Sequence, residues 1–234
     1  FERVKRQPKK LLEFHHHLAT LKFLDPACGC GTFLVIAYRE LRLLELDILR
    51  VLHAKTEMLS LDVAQFNILC DVDQFFGIEI EEFPAQIAQT ALWLMDHQMN
   101  MRVSEEFGNY FVRLPLKKSA TIVHGNALQR DWREIVKPKE LSYIFGNPPF
   151  GGKQYQSDEQ KTDITHVFHD VRGAGVLDFV AAWYRKAADF MVGNPAVKTA
   201  FVSTNSITKG EQVGVLWPDL LRRGVRIHFA HRTF

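Results

Sequence analysis

Apolar residues follow two rhythms along this chain. One returns every three or four residues, the other comes in short unbroken runs. Lys9–Leu21 has the first rhythm, with Leu11, Leu12, His15, Leu18 and Ala19 on one side of a predicted helix. Lys22-Phe23-Leu24 is a short run that stops at Asp25-Pro26, which predicts a strand and then a glycine-rich turn. Helical periodicity without breakers covers Phe33 to about Leu52, and a further helix is expected over Ser60–Leu69. Phe75–Ile80 reads as a buried strand. Pro84 then opens a helix through about His97, since proline is tolerated in a first turn. Strands are expected at Thr121–His124, Leu141–Phe145, Thr199–Ser203 and Val225–Ala230, with helices at Asp178–Val192 and Gly210–Arg223. Gly151–Val176 has little periodicity and reads as a long loop, a common place for function.

Strands alternating with amphipathic helices imply an α/β fold with a mostly parallel sheet covered on both faces. The strands lack polar alternation, as burial on both sides requires. The sixth strand, Val225–Ala230, comes just before the last residues of the sequence. The 234 residues suffice for one large domain, 1–234, and no repeat or low-complexity tract divides them. The sequence opens on Phe1 rather than methionine, so a longer polypeptide is expected around it.

Composition narrows the class. Hydrophobic residues are 47% and charged residues 24%, the balance of a globular protein in water. The apolar runs are too short to span a membrane, and no signal peptide opens the chain, so a cytoplasmic location is expected. Cys28, Cys30 and Cys70 make no disulfide framework. Cys28-x-Cys30 and His15-His16-His17 do not complete a four-ligand metal set, and no metal is expected. The net charge of +2 is low for a domain that grips nucleic acid unaided.

The chemistry gathers at two places. Asp25-Pro26-Ala27-Cys28-Gly29-Cys30-Gly31-Thr32-Phe33 links a strand to a helix. Gly29 and Gly31 permit a sharp bend and a close ligand approach, and the helix start offers unpaired N–H groups. A dinucleotide fingerprint would have glycine where Leu34 stands, so a smaller nucleoside ligand is expected. Glu79, at the end of the next strand, can accept hydrogen bonds from two ribose hydroxyls, with Ile80 as an apolar wall beside the base. Alone, Glu79 would equally be a solvated strand-end acid. Gly125-Asn126-Ala127-Leu128 follows the third strand. Asn126 can hydrogen-bond an adenine ring or simply make the turn.

The second place is Ile144-Phe145-Gly146-Asn147-Pro148-Pro149-Phe150, at the carboxyl edge of a buried strand. An aromatic exocyclic amine is a poor nucleophile because its lone pair is delocalised. The Asn147 side-chain oxygen and the Pro148 carbonyl can each accept one N–H and so localise that pair. Pro148 and Pro149 stiffen the geometry. Phe150 offers a flat face to a flipped base.

In this order, Asp25–Phe33, Glu79, Asn126 and Asn147–Phe150 resemble the motifs of the gamma class of DNA amino-methyltransferases. Leu34–Leu41, Ala91–Asn100 and Phe201–Thr208 are similar to the MmeI-like group, and the likeness extends from about residue 20 onward. The resemblance implies a Rossmann-like fold that uses S-adenosyl-L-methionine to methylate the N6 of adenine. In that group one polypeptide also carries an endonuclease, a helical spacer and a target-recognition domain. Double-stranded DNA would then be held through domains outside residues 1–234. The resemblance places a second base-stacking aromatic at Phe234, opposite Phe150. Two departures stand out: Cys30 where the family often has serine, and Thr32 where it often has asparagine. The usual upstream cofactor segment is not recognisable in residues 1–20. Asn-Pro-Pro-Phe also suits RNA or a protein glutamine as the methyl acceptor. A non-catalytic scaffold is a further reading, and it predicts loss of Asn147 or of the glycine turn, both of which are present.

Overall fold

The computed structural model describes residues 1–53, 68–107 and 119–231. Five parallel strands, β1 (Phe23–Asp25), β2 (Phe75–Glu79), β3 (Thr121–His124), β4 (Tyr143–Gly146) and β5 (Lys198–Phe201), lie in the order β3-β2-β1-β4-β5. Among the described residues six α-helices surround them: α1 (Pro8–Thr20), α2 (Thr32–His53), α3 (Glu82–Phe107), α4 (Asp158–Val167), α5 (Ala181–Met191) and α6 (Val213–Arg222).

The inner strands β1, β2 and β4 are largely buried, the edge strands β3 and β5 are partly exposed, and alternate residues of the inner strands feed two cores. Leu24, Phe76, Ile78 and Ile144 enter the core shared with α4, α5 and α6. Phe23, Phe75 and Phe145 face α1, α2 and α3. In this second layer the register pairs Phe23 with Phe75 and with Tyr143. The rings stack accordingly, at centroid distances of 4.7 Å and 5.5 Å. An apolar run reads as a strand with no polar face because each neighbour in the run serves a different core.

A buried polar network ties α1, α2 and α3 together. Arg42 on α2 donates to Tyr38, Asp96 and Asn100 at 2.7–2.9 Å. Glu45, one turn further, pairs with His15 of α1 at 2.9 Å and accepts the backbone N–H groups of Leu69 and Cys70. Its other oxygen lies 3.2 Å from Arg42 Nε, a charge contact rather than a well-aligned hydrogen bond. Burial alone would raise the Glu45 carboxyl, but the hydrogen bond with His15, the Arg42 charge and the backbone N–H groups hold it below its ordinary value.

Three expectations are corrected. Val225–Ala230 is not a strand, and the described residues hold five strands rather than six. Val225 closes onto Leu220 at the end of α6, and beyond it Ile227 and Phe229 are exposed with no sheet edge against them. Alternating apolar residues supply a strand face but not the partner it needs. Gly151–Val176 is not one long loop, because α4 lies within it. Ser157 and Gln160 form a reciprocal cap at its start, with Asp158 and Glu159 in the first turn. The helix expected from Pro84 begins at Glu82 and runs on to Phe107. Of the helix expected over Ser60–Leu69, residues 60–67 lie outside the described residues. No helix among the described residues is long and apolar enough to cross a membrane.

Replacing Arg42 by alanine leaves Glu45 and Asp96 buried without their cation. Arg42→Ala is expected to cost about 3–5 kcal/mol of stability, the range for a broken buried ion pair. Urea denaturation checks it, and a loss below about 1 kcal/mol would assign the network no more weight than a surface pair.

Candidate active site

The strand order reverses at β1. The chain builds outward through β2 and β3, then returns to place β4 on the other side of β1. Turns leaving the carboxyl ends of β1 and β4 therefore diverge and leave a crevice between them. The glycine turn leaves β1 and the Asn-Pro-Pro-Phe turn leaves β4, so the crevice lies between the two motifs.

The glycine turn is tightly held. Cys28 N–H donates to Ile78 O at 3.0 Å and Gly31 N–H to Cys28 O at 2.8 Å. Gly31 has φ +83°, and an added Cβ would lie 2.9 Å from the Ala88 Cβ, so glycine lets α3 close on the turn. Glu79 spans from β2: its Oε2 accepts Gly29 N–H at 2.8 Å and its Oε1 accepts Glu81 N–H at 3.1 Å. Each oxygen keeps a further lone pair.

Asp25 ends β1 beneath both motifs and is almost fully buried. Its Oδ1 accepts Ala27 N–H at 3.0 Å. On the other side it crowds Gly146, where an added Cβ would lie 2.5 Å from that same oxygen. Only glycine at 146 lets β4 deliver Asn147 this close to β1. Burial pushes the Asp25 carboxyl up to about 7; the Ala27 hydrogen bond opposes the rise and the Glu79 charge adds to it. Cys28 is also buried and its thiol is pushed up, so it stays protonated.

Asn147 is exposed, and its amide has no protein partner among the described residues. Pro148 is buried behind it, while Pro149 and Phe150 face outward, Phe150 at 46% exposure. Phe33 and Ile80, on the neighbouring turns, are exposed as well. Asn126 follows β3, one strand further out. Its Oδ1 accepts Leu128 N–H at 2.9 Å and its Nδ2 donates to Asp163 Oδ2 at 2.8 Å. The amide orientation is thereby set, with one N–H and one lone pair left over. Ala127 is buried. Phe234 lies outside the described residues.

Other contributors were not singled out in the sequence. Asp163 on α4 also receives Gln129 Nε2 at 2.9 Å. Trp132 donates its Nε1–H to Ala127 O at 2.8 Å, and Trp183 donates to Pro26 O at 3.0 Å. A buried indole must find an acceptor, so each tryptophan was a signal that some carbonyl would be held. Which carbonyl was not readable, because Trp183 and Pro26 are 157 residues apart. Among the described residues no cluster of three or more His, Cys, Asp or Glu is placed to hold a metal ion.

This strand order, with its crevice between β1 and β4, is the Rossmann-like architecture of methyltransferases. The chain matches the family model for the DNA-methyltransferase domain of MmeI over residues 1–234 and belongs to that family. The solved structure of the Type IIL restriction-modification enzyme MmeI in complex with DNA is 58% identical, with a TM-score of 0.93. That match covers 100% of this chain and 31% of that one. DNA methyltransferase A of Bacillus subtilis (strain 168) is 39% identical over 229 residues, which is 96% of this chain and 25% of the relative. A nuclease-deletion mutant of the Type ISP restriction-modification enzyme LlaGI shares the fold at 17% identity, with a TM-score of 0.55 over 87% of this chain and 17% of that one. The chain thus spans about a third or less of these relatives.

Between about pH 4 and pH 7 the folded chain keeps a proton on Asp25 that the unfolded chain has released. The contribution of this group to stability therefore falls as pH rises through that window and stays low above it. Asp25→Asn keeps the acceptor for Ala27 and removes the buried charge. It is expected to be about 1–3 kcal/mol more stable than the parent at pH 8, with the difference shrinking toward pH 4. Denaturation of the cofactor-free proteins across this range checks it. A difference that does not move with pH would show that Asp25 carries no such cost.

Proposed function

We propose that this chain is the catalytic core of a DNA methyltransferase that transfers a methyl group from S-adenosyl-L-methionine to the N6 of a flipped adenine. The observation that carries the reading is the reversal of strand order at β1. It brings a glycine turn with a bridging carboxylate and an unpartnered Asn147 amide to adjacent strand ends. The residues fit the cofactor. Gly29 leaves open space at the turn, with nothing within 4 Å of an added Cβ. Glu79 retains lone pairs for two ribose hydroxyls, and Ile80 stands exposed beside it as the wall for an adenine ring. The remaining N–H and lone pair of Asn126 suit the polar edge of that ring. When bound, the cofactor supplies an electrophilic methyl on a sulfonium.

The acceptor amine is prepared by the protein. Asn147 Oδ1 and the Pro148 carbonyl take its two N–H groups and concentrate the lone pair on nitrogen. The same two acceptors would stabilise the positive charge that nitrogen gains as the C–N bond forms and the bond from the methyl to sulfur breaks, leaving a neutral thioether. One hydrogen of the methylated amine then leaves to solvent as a proton, which restores a neutral amine. Phe150 stacks on the extruded base. Pro148 is buried and fixes φ, so the acceptors need little reorganisation.

The rest of the enzyme follows from the family. A restriction–modification protein acting in the cytoplasm would read the DNA sequence and grip double-stranded DNA through parts outside residues 1–234. The net charge of +2 agrees with a core that leaves phosphate contact to other surfaces.

Glu79→Ala is expected to weaken cofactor binding by about 1.5–3 kcal/mol, the range for hydrogen bonds to a charged group. Calorimetric titration reads it directly, and unchanged affinity would remove Glu79 from the ribose. Asn147→Ala in the full-length enzyme is expected to lower kcat by roughly 10²–10³, the cost of deleting one transition-state hydrogen bond. Cofactor affinity should change little. Methylation assays on DNA, RNA and protein test the acceptor, and preferential labelling of RNA or protein would overturn the DNA reading.

A further inference from the structure

The two turns of the site leave adjacent strands, and a methyl transfer across the crevice depends on their spacing. Outside the sheet, one path through the core joins them. Trp183 sits in the first turn of α5, buried, with its indole N–H on Pro26 O in the glycine turn. Its ring meets Phe179 edge-on at a centroid distance of 5.1 Å. The Phe179 backbone N–H donates to Gly151 O at 2.7 Å, and Gly151 directly follows Phe150. Gln156 Nε2 donates to the same carbonyl at 3.0 Å and to Leu177 O at 2.8 Å. Residues 179–183 therefore grip the glycine turn with one side chain and the exit of the Asn-Pro-Pro-Phe turn with one backbone group.

We propose that Trp183 is a positioning residue that keeps the methyl-donor turn in register with the amine-acceptor turn; this rests on the functional reading above. Pro26 has no N–H, so its carbonyl is its one backbone hydrogen-bonding group. In the buried space behind the crevice that carbonyl takes its donor from Trp183. Without it the carbonyl must turn toward another donor, and Asp25 and Ala27 move with it. Transfer rates are sensitive to such shifts, since a misplacement of about 1 Å costs roughly a hundredfold.

The test uses the full-length enzyme and plasmid DNA as methyl acceptor. Trp183→Phe keeps an aromatic ring against Phe179 and removes the donor. Trp217→Phe is the matched control: its indole N–H holds Ile207 O at 2.8 Å, a carbonyl of neither turn. Single-turnover methylation is measured at saturating S-adenosyl-L-methionine and DNA, alongside thermal midpoints. Trp183→Phe is expected to slow the saturated rate about 10- to 100-fold. Trp217→Phe, losing the same kind of bond, should stay within about twofold, the effect expected of a substitution that leaves the turns in place. A Trp183→Phe rate within twofold of the parent, or an equal loss in Trp217→Phe, overturns the proposal. Should Trp183→Phe fail to fold, Gly151→Ala perturbs the other end of the path, because its Cβ would press to 3.2 Å from the Phe179 Cβ. A slowed saturated rate there supports the coupling, and an unchanged one overturns it. A parent enzyme that methylates no DNA with this cofactor overturns the functional reading, and the inference with it.

Discussion

Strand β1 has three residues and neighbours on both sides, and the position of every other part of the site depends on it. Paired to β2 on one edge and β4 on the other, it fixes where two independent turns emerge. The reversal of strand order at this point opens a crevice that a sheet built in one direction would not have. The contact between Asp25 and Gly146 shows how closely the two halves approach. One carboxylate oxygen fills the space a side chain at 146 would need. The spacing between the glycine turn and Asn147 is set by strand pairing and van der Waals contact, both stiff, rather than by the turns themselves.

Charge is treated differently in different layers of the molecule. On one side of the sheet Arg42 meets Tyr38, Asp96 and Asn100, with Glu45 close by. On the other, Arg185 donates to Asp170, Asp189 and Asp219 at 3.0–3.1 Å, and Arg223 joins the same carboxylates. Both guanidiniums are nearly inaccessible, and both are surrounded by acceptors, as burial of a charge demands. They bind helices to one another and lie off the crevice. Asp25 is the contrast. It is as buried as either arginine, yet the groups acting on it are a backbone N–H and a second carboxylate. A buried carboxyl with no cation acting on it, placed where the β1 and β4 turns diverge, is a destabilised arrangement of the kind that functional sites retain.

Much of this was legible in the sequence, for identifiable reasons. The strand Phe75–Glu79 stood out because double burial leaves no polar residue before its last one, and Thr121–His124 because Ile122 and Val123 form a β-branched apolar centre. The glycine turn, Glu79 and Asn147–Phe150 could be placed at one sheet edge because each directly follows such a strand. Other parts were harder. Helix α4 has only ten residues and a mostly polar surface, so its periodicity was faint. Its cap, Ser157 and Gln160, was nevertheless on the page as a local signal. Val225–Ala230 had the apolar alternation of a strand but no partner, and pairing is a long-range property that local pattern does not contain. The same holds for Trp183 and Asp163. The need of an indole or a buried carboxylate for partners is readable from residue type, but the identity of the partner belongs to the fold.

The site's accounting of polar groups separates scaffold from function. Behind the crevice the strong donors and acceptors are matched: Trp132 with Ala127, Trp183 with Pro26, Asp163 with Asn126 and Gln129, Gln156 with Gly151 and Leu177. In front of it Asn147 presents its whole amide and Glu79 keeps spare lone pairs. Phe33, Ile80 and Phe150 present exposed apolar surface beside them. Matched polarity behind makes the walls rigid, and rigid walls allow the groups in front to be aimed without further loss of conformational entropy when a ligand arrives. Exposed aromatic surface beside unspent acceptors suits a flat heterocycle with amine hydrogens at its edge. A nucleobase is such a heterocycle, and the adenosine of the proposed cofactor carries a second one into the same crevice.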